Sequence, residues 1–300
     1  MAKRLVSAGF RACGHQDDLA SEPRGFVSRG GSLVAWSRGE DRDARSFRII
    51  GAHSDSPNLR VKPRPEADGP GGRRLLLAPY GGTLDNSWLD RDLGLAGRIA
   101  VRSDDHVTER LICSDRPVVK IPQLAIHLDQ NFRSSGLQLN PQQHLHGLMG
   151  LTPWESETFA GWCADQADLE ASEVLSWDVM TYDTHQPQLI GPNHEFLSAP
   201  RLDNLCSCFG GLESLVAATP SPGTVSVLAI FDHEEVGSTY AHRADLGCGS
   251  TIGPTTAASL GIDTIDVGMA QHSMHSARET MASASVDTMV AAFGAWHSHA

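Results

Sequence analysis

The pattern of hydrophobic and polar positions predicts several short strands. The clearest is residues 225–231, a largely apolar run rich in β-branched residues, which is typical of a buried strand. Residues 32–37 and 46–53 predict two further strands, joined by the charged loop 39–45. Another buried strand is predicted at residues 262–267.

Helical spacing marks three other stretches. Residues 205–218 repeat apolar positions at the period of a helix, and Asp203 or Asn204 is the predicted N-terminal cap. A short helix is predicted at residues 255–261, and a C-terminal helix at residues 278–296.

The composition of the sequence changes between residues 66 and 185. This stretch is rich in Gly, Pro and Asp and contains short apolar runs, which predicts short strands joined by turns. We therefore predict an α/β domain formed by residues 1–65 and 185–300, with a mostly β domain inserted at residues 66–184. The alternative is one large domain, which a length of 300 residues also allows.

Composition narrows the class of protein. The chain has 40% hydrophobic and 20% charged residues, and no apolar run approaches the roughly 20 residues of a membrane span. The net charge of −12 argues against a nucleic-acid partner, because phosphate binding needs a basic surface. The six cysteines are scattered and the N-terminus lacks the apolar centre of a signal peptide, so we expect a cytoplasmic chain with reduced thiols.

The first candidates for catalytic or metal-binding residues follow the end of the run 225–231. It is followed by Asp232, His233, Glu234 and Glu235, at the end of a strand where open α/β sheets place their ligands. Two adjacent carboxylates repel each other and are costly to desolvate unless a positive charge lies beside them. A metal ion would supply that charge. The alternative is a polar strand end followed by a turn.

Other potential metal ligands follow other predicted elements. His53 ends the predicted strand 46–53, and Asp55 follows it two residues later. In extended chain, residues two apart face the same side, so His53 can bind a metal while Asp55 orients it. Asp203 lies at a predicted helix start, and His275 lies beyond a predicted strand. Carboxylates and imidazoles suit zinc, manganese or cobalt, and two ions bridged by one carboxylate can activate a water. Each residue alone is more often a surface side chain or a helix cap.

Seven sequence blocks, taken in order, resemble one known family. They are GAHSDSPNLRVKPRP, YGGTLDNSWLDRDLGLAGR, IPQLAIHL, EFLSAPRLDNL, FDHEEVGS, GCGSTIGP and QHSMHSARE. Over nearly the whole chain they resemble the M18 family of metalloaminopeptidases, the aspartyl aminopeptidase type. The resemblance implies a zinc-peptidase-like α/β/α domain with an inserted β-rich dimerisation domain, homo-oligomers built on dimers, and a peptide substrate.

The resemblance also implies a metal-ligand set. Two zinc ions (Zn²⁺) per subunit are expected in the family, and Mn²⁺ or Co²⁺ would suit the same ligands. His53 would bind the first ion, Asp203 would bridge both ions, and Glu235 and His275 would complete the second site.

Three further roles follow from the same resemblance. Glu234 would be the general base that takes a proton from a metal-activated water, and Asp55 would orient His53. His127, in the AIHL block, would reach the active site of a neighbouring subunit. The alternative for His127 is a polar residue in a strand of the interface domain.

The sequence departs from the family pattern after Glu235. His275 follows 40 residues later, where the family has a long segment that carries the remaining aspartate ligand of the first ion and the residues of the side-chain pocket. Asp245 is a weak substitute for that aspartate. The N-terminal helix at residues 2–10 is also short, so an N-terminal piece is expected to be absent.

Three hypotheses remain open from the sequence. In the first, the chain is an aminopeptidase that releases N-terminal residues of peptides, with Asp and Glu as the candidate residues to be released. It would hold about one tightly bound metal ion. In the second, it is an inactive remnant that acts only as an oligomer-forming or metal-binding protein. In the third, it is a related dinuclear hydrolase such as a deacylase, which the M18-type blocks disfavour.

Overall fold

A computed structural model describes residues 1–14, 16–38, 46–69, 71–103, 105–129, 131–154, 157–236 and 252–298, without the side chains of residues 254 and 255. The loop 39–45, Asp245 and Cys248 lie outside these residues. The chain divides into two compact units. The first comprises Met1–Ser56, Leu189–His272 and Thr280–Ala300, and the second comprises Pro57–Gln188 and Ser273–Glu279.

Helices and strands are numbered in chain order. The α-helices are α1 Ala2–Ser7, α2 Phe132–Ser135, α3 Pro141–His144, α4 Phe159–Asp165, α5 Leu202–Ala217, α6 Gly253–Leu260 and α7 Ser285–Ser298. The strands are β1 Arg11–Ala12, β2 Arg24–Arg29, β3 Ser32–Arg38, β4 Ser46–His53, β5 Asn58–Gly69, β6 Gly72–Tyr80, β7 Asp92–Ser103, β8 His106–Cys113, β9 Val119–Lys120, β10 Gly147–Gly150, β11 Val174–Asp183, β12 Gln188–Ile190, β13 Phe196–Ala199, β14 Thr224–Phe231, β15 Gln271–His272 and β16 Glu279–Ala282. Short 3-10 turns occupy Leu19–Ser21, Asp85–Trp88 and Ala171–Glu173.

A five-stranded sheet organises the first unit, with the strand order β1-β2-β3-β14-β4. The strand β14 runs antiparallel to β3 and parallel to β4. Six of its eight residues are buried, as its apolar and β-branched sequence predicts. The strands predicted at 32–37, 46–53 and 225–231 are therefore confirmed.

Helices α5 and α7 cover this sheet. Helix α5 packs against α7, β4 and β14. The approach to β14 is close, because a Cβ atom on Gly211 would lie 2.5 Å from Leu228 Cδ1. Leu228 is fully buried in the core of the first unit, among residues from the sheet and both helices.

The second unit is built on a seven-stranded antiparallel sheet with the order β11-β5-β6-β10-β9-β7-β8. Because β11 pairs with both β5 and β7, six of these strands form a closed ring, and β8 extends it from β7. Leucine, isoleucine and aromatic side chains fill its core. The unit begins earlier than residue 66 and includes Ser273–Glu279, which the sequence had placed with the first unit. Its role as a dimerisation domain stays a prediction.

One predicted element is wrong and another is correct only in part. Residues 262–267 make no strand in the described structure, and Ile262, Ile265 and Val267 are 43%, 79% and 58% exposed. The apolar pattern of a segment indicates that it can form a strand, but a strand also needs a neighbouring strand to pair with along its edge. The helix predicted at residues 278–296 is present only in its second part, because α7 begins at Ser285. The first part forms the strand β16.

Other stretches differ in detail. Within residues 117–128 only β9 forms a strand, and the AIHL block forms a turn. Residues 168–179 contain the 3-10 turn Ala171–Glu173 and the first part of β11. Helix α5 is assigned from Leu202, with Arg201 at its cap position and no side-chain cap, but Asp203 and Asn204 have non-helical φ/ψ, so the regular helix begins after Asn204, near the predicted start at residue 205. Capping by Asp203 or Asn204 stays a prediction. Among the described helices, none has the length and apolar character needed to cross a membrane.

Candidate metal centre

The register of two parallel strands creates the site. Strand β4 pairs with β14 from Thr224 opposite Ser46 to Phe231 opposite His53, so both strands end at the same edge of the sheet. The connection continues one residue further, because Ser54 N donates to Phe231 O at 2.8 Å. The segment after β4 and the two-glutamate turn after β14 therefore lie side by side.

Three potential ligands meet at this edge. His53, Asp203 and Glu235 each offer one ligand atom, and these atoms all lie within 4.8 Å of one another. His53 Nε2 is 3.5 Å from Asp203 Oδ1. Ligands at 2.0–2.2 Å around one tetrahedral zinc ion would be separated by roughly 3.4 Å. One imidazole and two carboxylates in this arrangement fit a divalent metal ion such as zinc.

The electrostatics of the site favour a positive charge. His53 and Asp203 are buried, and Glu234 Oε2 is 3.9 Å from His53 Nε2. Burial alone lowers the pKa of His53, but hydrogen bonding to Asp203 and Asp55, together with the charge of Glu234, raises it to about 10. The carboxylates around this imidazole outnumber it, and a bound cation would relieve their mutual repulsion.

Asn204 is a site residue that the sequence suggested only as a cap. Its Oδ1 accepts a hydrogen bond from His53 N at 3.4 Å, and its Nδ2 donates to Asp203 Oδ1 at 3.3 Å. The peptide bond between Asp203 and Asn204 is cis. Ser56 Oγ also donates to Asp203 O at 2.8 Å. These contacts hold Asp203 at the site. In the sequence, Asn204 and Ser56 could have been recognised only by their closeness to Asp203 and His53.

Asp55 contacts both halves of the site. Its backbone O is 3.1 Å from His53 Nδ1, and its carboxylate Oδ1 is 3.5 Å from the same nitrogen. The carboxylate also accepts hydrogen bonds from Glu234 N at 3.1 Å and from Glu235 N at 3.0 Å. The sequence predicted only the relation to His53.

The remaining predicted site residues belong to the second unit. His275 has a positive φ of 69°, its Nδ1 is 2.9 Å from Gly82 O, and its backbone N donates to Glu279 Oε1 at 2.7 Å. An Nδ1–H bound to that carbonyl leaves Nε2 as the nitrogen suited to a metal. His127 lies in an exposed turn in which Leu128 N donates to Ala125 O.

Comparison with known proteins identifies the family. The family model described as aminopeptidase I zinc metalloprotease (M18) matches residues 1–245 and 239–297. The chain belongs to the M18 family of zinc metalloaminopeptidases. A "Probable M18 family aminopeptidase 2" of Mycobacterium leprae is 35% identical, and the match covers 99% of this chain and 93% of that protein. A relative of the same name from Streptomyces avermitilis is 45% identical over 81% of this chain and 57% of its own length.

Solved structures show the same M18 fold. An M18 aminopeptidase from Thermotoga maritima has a TM-score of 0.81 at 18% identity, covering 100% of this chain and 91% of its own. The Saccharomyces cerevisiae mApe1 dodecamer has a TM-score of 0.79 at 22% identity, covering 99% of this chain and 91% of its own. These likenesses confirm the predicted α/β fold class.

This M18 chain is shorter than its relatives at an internal position. The alignment with the M. leprae protein has 402 positions against 300 residues here, so at least 102 positions of it have no counterpart in this chain. The two stretches matched by the family model meet at residues 239–245. That junction lies after Glu235, where the sequence departs from the family pattern.

Proposed function

We propose that this M18 chain removes N-terminal residues from peptides, using a divalent metal ion held by His53, Asp203 and Glu235. The observation that carries this proposal is the cluster of their three ligand atoms within 4.8 Å at the edge of a sheet. A bound ion would supply Lewis-acid activation of a water and of the scissile carbonyl. Zinc is the proposed ion, with Mn²⁺ or Co²⁺ as alternatives that the same ligands accept.

Glu234 is the proposed general base. Its carboxylate lies 3.9 Å from His53 Nε2 at the rim of the cluster, and its side chain is 21% exposed, so it is within reach of a water entering the site. Glu234 would accept the proton of the attacking water and pass it to the leaving amine. Its neighbour Glu235 would then be the glutamate that binds the metal ion.

His275 is proposed as a further ligand through its Nε2. This proposal rests on the family resemblance and on the contact of Nδ1 with Gly82 O. The segment that would carry another aspartate ligand is absent from the sequence between Glu235 and His275, so we propose about one tightly bound ion per chain. Elemental analysis of purified protein that finds two tightly bound ions would contradict this number.

The test of the proposed function is turnover together with metal content. Purified protein loaded with Zn²⁺, Mn²⁺ or Co²⁺ is assayed on aminoacyl chromogenic substrates, including Asp and Glu, because the proposed acidic preference rests on resemblance alone. Glu234→Gln should abolish turnover and keep the metal content of the parent. Glu213→Gln, a change at a distant ion pair with Arg4, is the matched control and should keep both.

Each alternative has its own outcome in this assay. Loss of metal together with activity in Glu234→Gln would mean that the roles of the two glutamates are reversed. A folded, metal-binding chain without turnover on any substrate would refute the proposed activity and favour the inactive remnant. Cleavage of acylated amino acids in place of aminoacyl substrates would favour the deacylase.

A homo-oligomer built on dimers is the proposed assembly, and one solved structure that resembles this chain is a dodecamer. We propose that His127 contacts substrate in the site of a neighbouring subunit. If so, two inactive variants, His127→Ala and Glu234→Gln, should restore activity when refolded together. Random pairing of the two variants in a symmetric dimer would recover roughly a quarter of the parent sites. Absence of recovery from confirmed mixed oligomers would refute sharing of the site.

A further inference from the structure

We infer that the Asp55 carboxylate positions both active-site glutamates by holding the backbone of their turn. Its two oxygens are divided between two amides: Oδ1 accepts from Glu234 N at 3.1 Å, and Oδ2 accepts from Glu235 N at 3.0 Å. One side chain therefore holds the two consecutive residues that we propose as base and ligand. Asp55 is a positioning residue for these glutamates as well as a neighbour of His53.

The environment makes these bonds strong. The Asp55 side chain is 6% exposed, so water competes little for its oxygens. Hydrogen bonds from amides to an ionised carboxylate are stronger than bonds between neutral groups. With consecutive amides held at both ends of one carboxylate, the backbone of the turn has little freedom to rotate. The directions in which the Glu234 and Glu235 side chains leave the backbone are then set by Asp55.

The turn has a second carboxylate, which serves as a natural control. Asp232 accepts a hydrogen bond from His233 N at 3.1 Å through Oδ1, and its own backbone N donates to Ser32 Oγ at 3.0 Å. It lies in the same turn but bonds a different amide. Asp232→Asn therefore changes the charge of the turn and leaves the bonds from Asp55 to Glu234 and Glu235 in place.

The closing experiment measures the amides themselves in metal-free protein, independently of catalysis. Protein labelled with ¹⁵N-glutamate is followed by amide hydrogen exchange, and the two resonances are assigned by their loss in Glu234→Gln and Glu235→Gln. In Asp55→Asn, exchange of at least one of the two amides should rise by about tenfold or more, because an amide side chain keeps only one oxygen acceptor. Asp232→Asn should leave both amides at the parent rate.

A second variant separates this role from an action through the imidazole. His53→Gln removes the ring that Asp55 also contacts, and both glutamate amides should remain protected. Equal loss of protection in His53→Gln and Asp55→Asn would overturn the inference, and so would parent-like protection in Asp55→Asn. If Asp55→Asn fails to fold, Asp55→Glu keeps the charge but displaces it by one methylene. Asp55→Glu should also speed exchange at one of the two amides.

The catalytic consequence rests on the proposed function. In a metal-loaded, active chain, Asp55→Asn should lower kcat by about a hundredfold at saturating metal and substrate, since misplacement of reacting groups by about 1 Å has an effect of this size. KM should change much less than kcat. An inactive parent would refute the proposed function and leave the exchange result intact as the test of the positioning role. A KM effect without a kcat effect would contradict positioning of the base.

Discussion

Lowering the pH from 7.5 to 5 is expected to destabilise this chain through one buried histidine. His297 lies in α7, is 0% exposed, and neither of its ring nitrogens has a hydrogen-bond partner among the described residues. Its backbone O accepts a hydrogen bond from the buried Ser226 Oγ at 3.2 Å, which ties this turn of the helix to β14. A proton on the ring would place an unpaired charge in the interior.

The size of the effect follows from the pKa. Burial, with a smaller contribution from the positive charge of Arg48, lowers the pKa of His297 from 6.5 to about 4. Between these values the unfolded chain binds the proton and the folded chain does not. The stability is therefore fully present above pH 6.5 and is lost as the pH falls toward 4. The loss amounts to about 2 kcal/mol at pH 5 and about 3 kcal/mol below pH 4.

Urea denaturation, followed by far-ultraviolet circular dichroism at several pH values, measures this loss against His297→Leu, which cannot titrate. Subtracting the two free energies of unfolding cancels the other titrating groups. As the pH falls from 7.5 to 5, the free energy of unfolding of the parent should decrease by about 2 kcal/mol more than that of the variant. His272→Leu, at an exposed position, is the matched control for the replacement of an imidazole by leucine. A parent-to-variant difference that is independent of pH would refute the reasoning.

Three further predictions concern the core, the metal and the thiols. Leu228→Ala should lower the free energy of unfolding by about 2–5 kcal/mol in chemical denaturation, because the side chain is fully buried against α5; a loss under 1 kcal/mol would mean that the core closes over the gap. Zinc at a hundred times its Kd should raise the free energy of unfolding by about 2.7 kcal/mol, and Asp203→Asn should remove most of that gain. Iodoacetamide at pH 8 should modify the exposed Cys113 and spare Cys163 in mass spectrometry, because Cys163 is fully buried and burial raises the pKa of its thiol to about 12; early labelling of Cys163 would contradict its burial.

The strands that carry the site were predictable because their pattern is local. The apolar run of β14 and the alternation of β3 can be recognised without knowing what they contact. The motifs at the strand ends were equally readable, since His53 ends one predicted strand and Glu234 and Glu235 lie within four residues of the end of another. The motif blocks also led to the family, which the comparisons confirm.

Elements that depend on a partner were not predictable from their own sequence. Residues 262–267 have the apolar pattern of a strand but pair with no strand in the described part of the chain. The start of the predicted C-terminal helix became β16, because it pairs with β15 within a four-stranded sheet. Pairing along a strand edge can override the intrinsic preference of a short segment.

The sequence by itself determined which chemical groups are present and which strands deliver them to one edge of a sheet. Only the tertiary structure decided how those groups meet. Asp55 and Glu234 are 179 positions apart in the chain, and their contact exists because β4 and β14 pair in parallel with His53 opposite Phe231. A shift of that register by one residue would turn the side chains to the opposite face of the sheet. Contacts of this kind depend on long-range pairing, which no local pattern encodes.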